Sequence, residues 1–298
     1  MPAHTLGPHV VGTRIVVRRV VRGETGPSGG PALTDLLGTC LAWEDDACVV
    51  QPDRGGEPVR VALADVVSGK PVPPRASTRL RVSAAEAQRR AMALWTDLKT
   101  EPLGDWVLRR SAGSANRRAN SVLAAGPSGL PDAEAYDAVV DFYAGHGQRP
   151  VAAVLPDSAE DALFRAHGWG LESHDADTVF ELAGIAAVQR RLPRSSGPHA
   201  SLEGDDRLVT ATLLDGAATG VAAYDDDWVG FRSIEVDPAH RRRGLGVAVM
   251  AALVEWGAER GATTAYLQVL GDNEPALALY DRLGFVEHHR YRYLAPVG

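Results

Sequence analysis

The stretch Ser233-Ile234-Glu235-Val236-Asp237-Pro238-Ala239-His240-Arg241-Arg242-Arg243-Gly244-Leu245-Gly246 holds the most informative pattern in the chain. Its first residues alternate as in a strand, with Ile234 and Val236 on one face and Glu235 on the other. Pro238 cannot supply a ladder donor and closes that strand. Arg241-x-x-Gly244-x-Gly246 follows, then a helix with Leu245, Val249, Leu253 and Trp256 on one face. The helix closes at Arg260-Gly261, a cationic last turn followed by a glycine. A helix N-terminus leaves its first amides unpaired and carries partial positive charge. Gly244 and Gly246 remove side chains that would hold a phosphate away from those amides. Arg241, Arg242 and Arg243 add full charge beside them, so the arrangement suits a pyrophosphate. A strand over 264–270 returns after the helix and gives a right-handed parallel βαβ unit. The spacing is not GxGxxG, and no acidic residue closes the second strand as a Rossmann unit requires. A solvated arginine cluster beside a simple turn is the plainer alternative.

A second run lies downstream, Asn273-Glu274-Pro275-Ala276-Leu277-Ala278-Leu279-Tyr280-Asp281-Arg282-Leu283-Gly284-Phe285. Asn273 is placed to cap a helix. In this order, with one helix and one strand between them, the two runs resemble the coenzyme A signature and the second signature of GNAT (GCN5-related) N-acetyltransferases. The resemblance covers residues 207–294. It implies an α/β class chain (the α+β GNAT fold) with a mixed, mostly antiparallel sheet, acetyl-CoA as co-substrate and no metal. It also implies coenzyme contacts from Ile234, Val236, Arg241, Arg242, Arg243, Gly244, Leu245, Gly246, Val247, Asn273, Ala276, Tyr280 and Arg282.

The implied reaction is direct attack of an amine on the thioester. A free alkylamine has a pKa near ~10.4, so a base or a desolvating site must make it neutral. In the family a strand amide binds the oxyanion, which maps here to Val236 or its neighbour. Tyr280 maps to the acid that protonates the leaving thiolate; a core aromatic packed with Ala276 and Leu283 is the alternative. Glu235 is the candidate base, against a merely solvent-facing or salt-bridged glutamate. His240 and the run Asp225-Asp226-Asp227 are weaker candidates, read first as a loop histidine and a solvated hairpin turn. His288 and His289 are adjacent on a strand, so alternation sends them to opposite faces and they cannot share a metal.

Three segments are expected: 10–75, 81–184 and 185–298. The first has short apolar runs at 13–17, 38–43, 47–51 and 59–63, with a turn at Asp53-Arg54-Gly55-Gly56. Short strands without a long helix suggest a small SH3-like β-barrel, followed by the stiff linker Lys70-Pro71-Val72-Pro73-Pro74-Arg75. Trp43 is its only large aromatic, so packing or oligomer contacts are expected of it rather than peptide capture.

The second segment opens with a helix over 83–98, where Ser83 and Glu86 form a capping box. Strands at 105–110, 120–124 and 151–155 and helices at 132–144 and 158–167 follow. The third repeats the order of elements, which suggests tandem duplication. With Arg118-Ala119-Asn120-Ser121-Val122 and the ending His288-His289-Arg290-Tyr291-Arg292-Tyr293, the whole resembles actinobacterial tandem GNAT proteins with an SH3-like front module. Where the phosphate loop belongs, the second segment reads Gly126-Pro127-Ser128-Gly129-Leu130-Pro131. It has no arginine, and two prolines remove amide donors, so this half is expected to be degenerate. The stretch 182–207 is short for the two substrate-side helices usual in the family. The acceptor pocket is therefore expected to be open or built partly by the middle segment.

The remaining bounds come from composition. At 298 residues, two or three modules are natural. The net charge of −7 argues against a nucleic-acid partner held by phosphate contacts and suits a cationic acceptor. Cys40 and Cys48 fit neither a CxxC nor a zinc pattern and are expected to be reduced. Residues 1–10 do not read as a signal peptide, and no apolar run approaches the ~20 residues of a membrane span, so the cytoplasm is expected. The function that follows is N-acetyl transfer to a primary amine, a small molecule before a protein or peptide. An acyl-CoA-binding regulatory protein without turnover is the alternative.

Overall fold

The computed structural model describes residues 6–25, 29–72, 78–193 and 199–297. The chain forms two compact units, Met1–Ser77 and Thr78–Gly298.

The first unit is a sheet of β1 (Arg14–Thr25), β2 (Pro31–Trp43), β3 (Ala47–Pro52), β4 (Val59–Ala62) and β5 (Val66–Pro71), in the order β4-β3-β2-β1-β5. Alternation buries Ile15 and Val17 of β1 against Cys40, Cys48, Val50 and Val61. The expected turn joins β3 to β4, with Gly55 and Gly56 at φ of 80° and 96°. Among the described residues no ladder joins β4 to β5, so the sheet is open where a closed barrel was expected. Lys70 and Pro71 complete β5 instead of starting a linker, and 73–75 lie outside the described residues. Both cysteines are free and buried.

The second unit starts with α1 (Ala84–Arg90), capped by Ser83, whose hydroxyl accepts from the Glu86 amide. The Glu86 carboxylate turns instead to Arg90, and the helix tightens to a 3₁₀ turn over Ala91–Leu94 rather than running on to residue 98. Then come β6 (Lys99–Leu103), β7 (Trp106–Arg110), β8 (Val122–Ala124), α2 (Asp132–Gly145), β9 (Ala152–Val154), α3 (Ala159–Ala166), β10 (Trp169–Leu171) and β11 (Thr178–Gly184). The second run is α4 (Ile185–Arg191), β12 (Ser201–Gly204), β13 (Leu208–Leu213), β14 (Ala218–Asp225), β15 (Trp228–Val236), α5 (Leu245–Glu259), β16 (Thr264–Leu270), α6 (Glu274–Leu283) and β17 (Val286–Pro296). The sheet is mixed, with the order β12-β13-β14-β15-β16-β11-β17-β9-β8-β7-β6 and β10 paired to β17.

Each run has one parallel pair, β8–β9 and β15–β16, with a helix crossing between its strands. Beside each pair stands a strand from the other run. β11 lies between β16 and the first half of β17, while the last half of β17 lies between β9 and β10. The two runs have thus exchanged closing strands.

Alternation on this sheet sorts the side chains. Val179, Phe231, Leu267 and Val269 face α4, α5 and α6 in one core. Phe180, Leu182, Trp228 and Tyr266 face the segment 80–95 in another.

Candidate active site

The β15–β16 ladder runs from Trp228/Thr264 to Phe231/Leu267 and stops. Beyond it the strands part. The cause is local: Thr219 pairs with Glu235 but Val221 pairs with Arg232, so Gly220 alone opposes two residues. Ser233 takes φ of 51° in this bulge. The bulge returns Ile234 and Val236 to the α5 face and leaves Glu235 exposed on the other.

A cavity of about 1430 Å³ opens at this gap. Every residue expected to contact the coenzyme lines it: Ile234, Val236, Arg241, Arg242, Arg243, Gly244, Leu245, Gly246, Val247, Asn273, Ala276, Tyr280 and Arg282. Glu235 lines it as well.

One end of the cavity is formed by the loop from Arg241 to Gly246. Gly244 caps α5 in the left-handed region at φ of 79°, a conformation that a side chain would strain. No side chain caps the helix, and its first turn holds no acid. Among the described residues its leading amides are therefore unclaimed by side chains. Among the described residues, Arg241, Arg242, Arg243 and Arg282 make no ion pair, and all four are exposed. Arg241 leans back to donate to the Val236 carbonyl at 3.3 Å.

The counterpart in the first run is filled by the protein itself. The Gly126 amide donates to the Glu160 carboxylate at 3.1 Å, and the Pro127 carbonyl accepts from the Asp105 amide at 2.8 Å. A carboxylate thus stands at the loop where an anion would have to enter.

At the other end of the cavity, Asn273 caps α6 by accepting from the Ala276 amide at 3.3 Å. Tyr280 is 8% exposed and packs edge-on against Phe285. Burial, with the charge of Glu181, raises its phenol to about 12, so it holds its proton at neutral pH. Glu181, on β11, was not picked out from the sequence. It is 6% exposed, and its Oε2 has no hydrogen-bond partner among the described residues. Burial raises it to about 7, helped by Glu287 and Asp281. One acid inside the apolar run Thr178-Val179-Phe180-Glu181-Leu182-Ala183 was the available signal.

Other candidates fall away from the gap. Asp226 and Asp227 turn the hairpin before β15, at its far end, and lie 3.8 and 3.7 Å from Arg90. His240 sits 3.5 Å from Asp237. The two histidines of β17 correct the expectation from alternation. A bulge pairs Phe180 with His289 but Glu181 with Glu287. Both rings consequently reach the same face, with Nδ1 atoms 2.7 Å apart. His288 Nε2 donates to the Val82 carbonyl, so its Nδ1 accepts from His289, whose Nε2 accepts from Gln88. In that chain the His289 ring is neutral, and burial lowers it to about 3. Among the described residues no His, Cys, Asp or Glu cluster could hold a metal.

Comparison with known proteins fits this geometry. A family model described as "Probable histone acetyltransferase Rv0428c C-terminal" matches residues 183–294. A Mycobacterium tuberculosis protein named "Probable histone acetyltransferase Rv0428c" is 30% identical over 317 aligned positions, covering 95% of each chain. The chain belongs to the GNAT acetyltransferase family. An Escherichia coli [ribosomal protein bS18]-alanine N-acetyltransferase is 35% identical over 119 residues, 39% of this chain and 78% of that one. The fold of a GCN5-related N-acetyltransferase from Kribbella flavida superposes with a TM-score of 0.57 at 18% identity, covering 72% of this chain and 96% of that one. This GNAT protein is an acyl-CoA-dependent N-acetyltransferase. Among its described residues no helix is long and apolar enough to cross a membrane.

Proposed function

We propose that the protein moves the acetyl group of acetyl-CoA directly to a primary amine at the gap between β15 and β16. The observation that carries this reading is the cavity joining the N-terminus of α5 to Tyr280. The α5 amides and Arg241–Arg243 would hold the pyrophosphate, and the pantetheine arm would follow the gap toward Tyr280.

The amine lone pair attacks the thioester carbonyl carbon, and the Val236 amide or its neighbour faces the oxyanion. The C–S bond then breaks, and the Tyr280 proton passes to sulfur. A phenol near 12 is a weak acid. The same dry surroundings raise the proton affinity of the thiolate, which offsets the mismatch. Glu235 takes the ammonium proton, directly or through water. The bulge supports this division: it sends Ile234 and Val236 to the α5 face and turns Glu235 to the other.

The first run lacks an open phosphate loop and serves as scaffold and acceptor wall. In the first unit, the strand order and the 3₁₀ turn over Leu63–Asp65 between β4 and β5 support an SH3-like kinship. The names of the relatives favour a second reading, a protein amine as acceptor.

Calorimetric titration with acetyl-CoA and a turnover assay on small amines and peptides test the reading. Arg243→Glu should weaken coenzyme binding by about 10- to 100-fold, the scale of a charge-assisted contact. Tyr280→Phe should lower kcat by tenfold or more and leave coenzyme affinity intact. Wild-type affinity in the arginine variant would misplace the phosphates, and unchanged turnover in the tyrosine variant would remove the acid.

A further inference from the structure

We infer that the acceptor amine also carries an anionic oxygen group, carboxylate or phosphate, which Arg118 of the first run receives on the sheet face opposite the coenzyme cavity. The inference rests on the acetyl-transfer reading above and narrows its acceptor.

The segment Arg117-Arg118-Ala119-Asn120-Ser121 supplies the first observation. All but one of its polar side chains are engaged in building the loop. Arg117 pairs with Glu172 at 2.7 Å and Asp175 at 3.0 Å, and its guanidinium lies over the Tyr293 ring. Asn120 accepts from the Ser111 amide and donates to the carbonyls of Ser114 and Asn116. Ser121 accepts from Arg109 and donates to the Arg117 carbonyl. Arg118 differs. Its Nε donates to the Tyr291 hydroxyl at 3.2 Å, and no carboxylate pairs with it among the described residues.

The second observation is what the next bonds leave over. Tyr291 accepts from Arg118, so its own proton goes to Gln268 Oε1. With that oxygen taken, Gln268 presents Nε2, which finds no partner among the described residues. The cluster therefore ends in donors, the outer guanidinium nitrogens of Arg118 and the amide of Gln268. A half-buried guanidinium with no counter-charge costs desolvation energy that an incoming anion offsets, and its fork fits carboxylate and phosphate alike.

The third observation is place. Gln268 is the residue after Leu267, where the β15–β16 ladder ends. Tyr291 and Thr178 are paired across β11 and β17, on the face that carries Phe180. Thr178 is 1% exposed, and its hydroxyl has no partner among the described residues. Across the gap, Arg232 lies over the Trp95 ring at 4.6 Å, and among the described residues no carboxylate pairs with it. Glu235 alternates onto this same face, at the edge of the coenzyme cavity that it also lines. Tyr291 and Gln268 thus link Arg118 to the end of the β15–β16 ladder, on the face to which Glu235 alternates.

The test compares matched acceptors, 4-aminobutyrate against butylamine and phosphoethanolamine against ethanolamine, by direct calorimetric binding and by acetyl transfer. The full-length protein should favour at least one anionic member about tenfold or more. Arg118→Gln should bring that ratio close to one while acetyl-CoA affinity and the thermal transition stay put, and Arg118→Lys should restore part of it. Preference for the carboxylate or the phosphate pair identifies the group. Equal handling within both pairs, or no binding of either anionic amine, overturns the inference. So does an Arg118→Gln variant that keeps the preference. Anion-dependent binding without any transfer would keep the anion site and overturn the acetyl-transfer reading instead.

Discussion

Among single residues, Glu181 has the largest consequence for pH dependence. Its carboxyl is raised from 4.5 to about 7 by burial and by neighbouring acids. The folded state therefore binds the proton more tightly than the unfolded one. The stability this brings is complete below 4.5 and is lost as pH rises through about 7. The shift corresponds to a change on the order of 3 kcal/mol. His289 has the opposite sense: lowered from 6.5 to about 3, it favours the fold above 6.5 and loses that contribution as pH falls. Glu181→Gln should remove the alkaline loss, so that its stability relative to wild type rises between pH 5 and pH 8. Urea unfolding at the two values measures it, and parallel behaviour of wild type and variant would show that Glu181 is ionised in the fold. Because the Glu181 charge raises Tyr280, the variant should also shift the alkaline limb of the turnover profile downward.

Among elements, the β15 bulge does the most to shape the site. Gly220 stands opposite it, and a Cβ there would come within 2.6 Å of both Ile234 Cδ1 and Val249 Cγ1. Gly220→Val should therefore cost about 1–3 kcal/mol of stability, the usual scale of overpacking. It should also weaken acetyl-CoA binding, because Ile234 and Val236 line the cavity. Unfolding and calorimetry read the two effects, and normal coenzyme affinity in a destabilised variant would separate the bulge from the site. The bulge also marks how far the sequence could be read. The loop from Arg241 to Gly246 and the helix from Asn273 were legible because glycine, proline and charge act locally there. The bulges at Ser233 and His288 were not, since each depends on the register of a partner strand. Strand alternation consequently put His288 and His289 on opposite faces. Short β6 and β12, with little buried surface, and the seven-residue α4 escaped for lack of a full period. Arg118 was visible as part of a motif, but only the fold shows that no carboxylate pairs with it among the described residues.

Across the whole molecule, exchange of closing strands makes the two runs depend on one another. The end of β17 pairs with β9 and β10, deep in the first run. Arg292 adds a two-pronged pair to Asp177, at 3.0 and 2.7 Å, on the approach to β11. β11 in turn closes the second run, where Phe180 is fully buried between the rings of Tyr266 and His289. Neither run can bury its sheet without the strand lent by the other. Residues 78–298 should therefore unfold in one transition, even though the sequence reads as two repeats. Trp106 and Trp169 report on the first run, and Trp228 and Trp256 on the second. Phenylalanine replacements that leave one pair at a time should give coincident denaturant midpoints by fluorescence. A stop after Arg290 removes the ladder to β9 and β10 while leaving α5, α6 and the loop from Arg241 to Gly246 in the chain. If the runs are coupled through exchange, that truncation should abolish acetyl-CoA binding despite sparing every residue of the cavity. Two separate midpoints, or a truncated protein that still binds the coenzyme, would mean that the second run folds alone and the exchanged strands are an accessory.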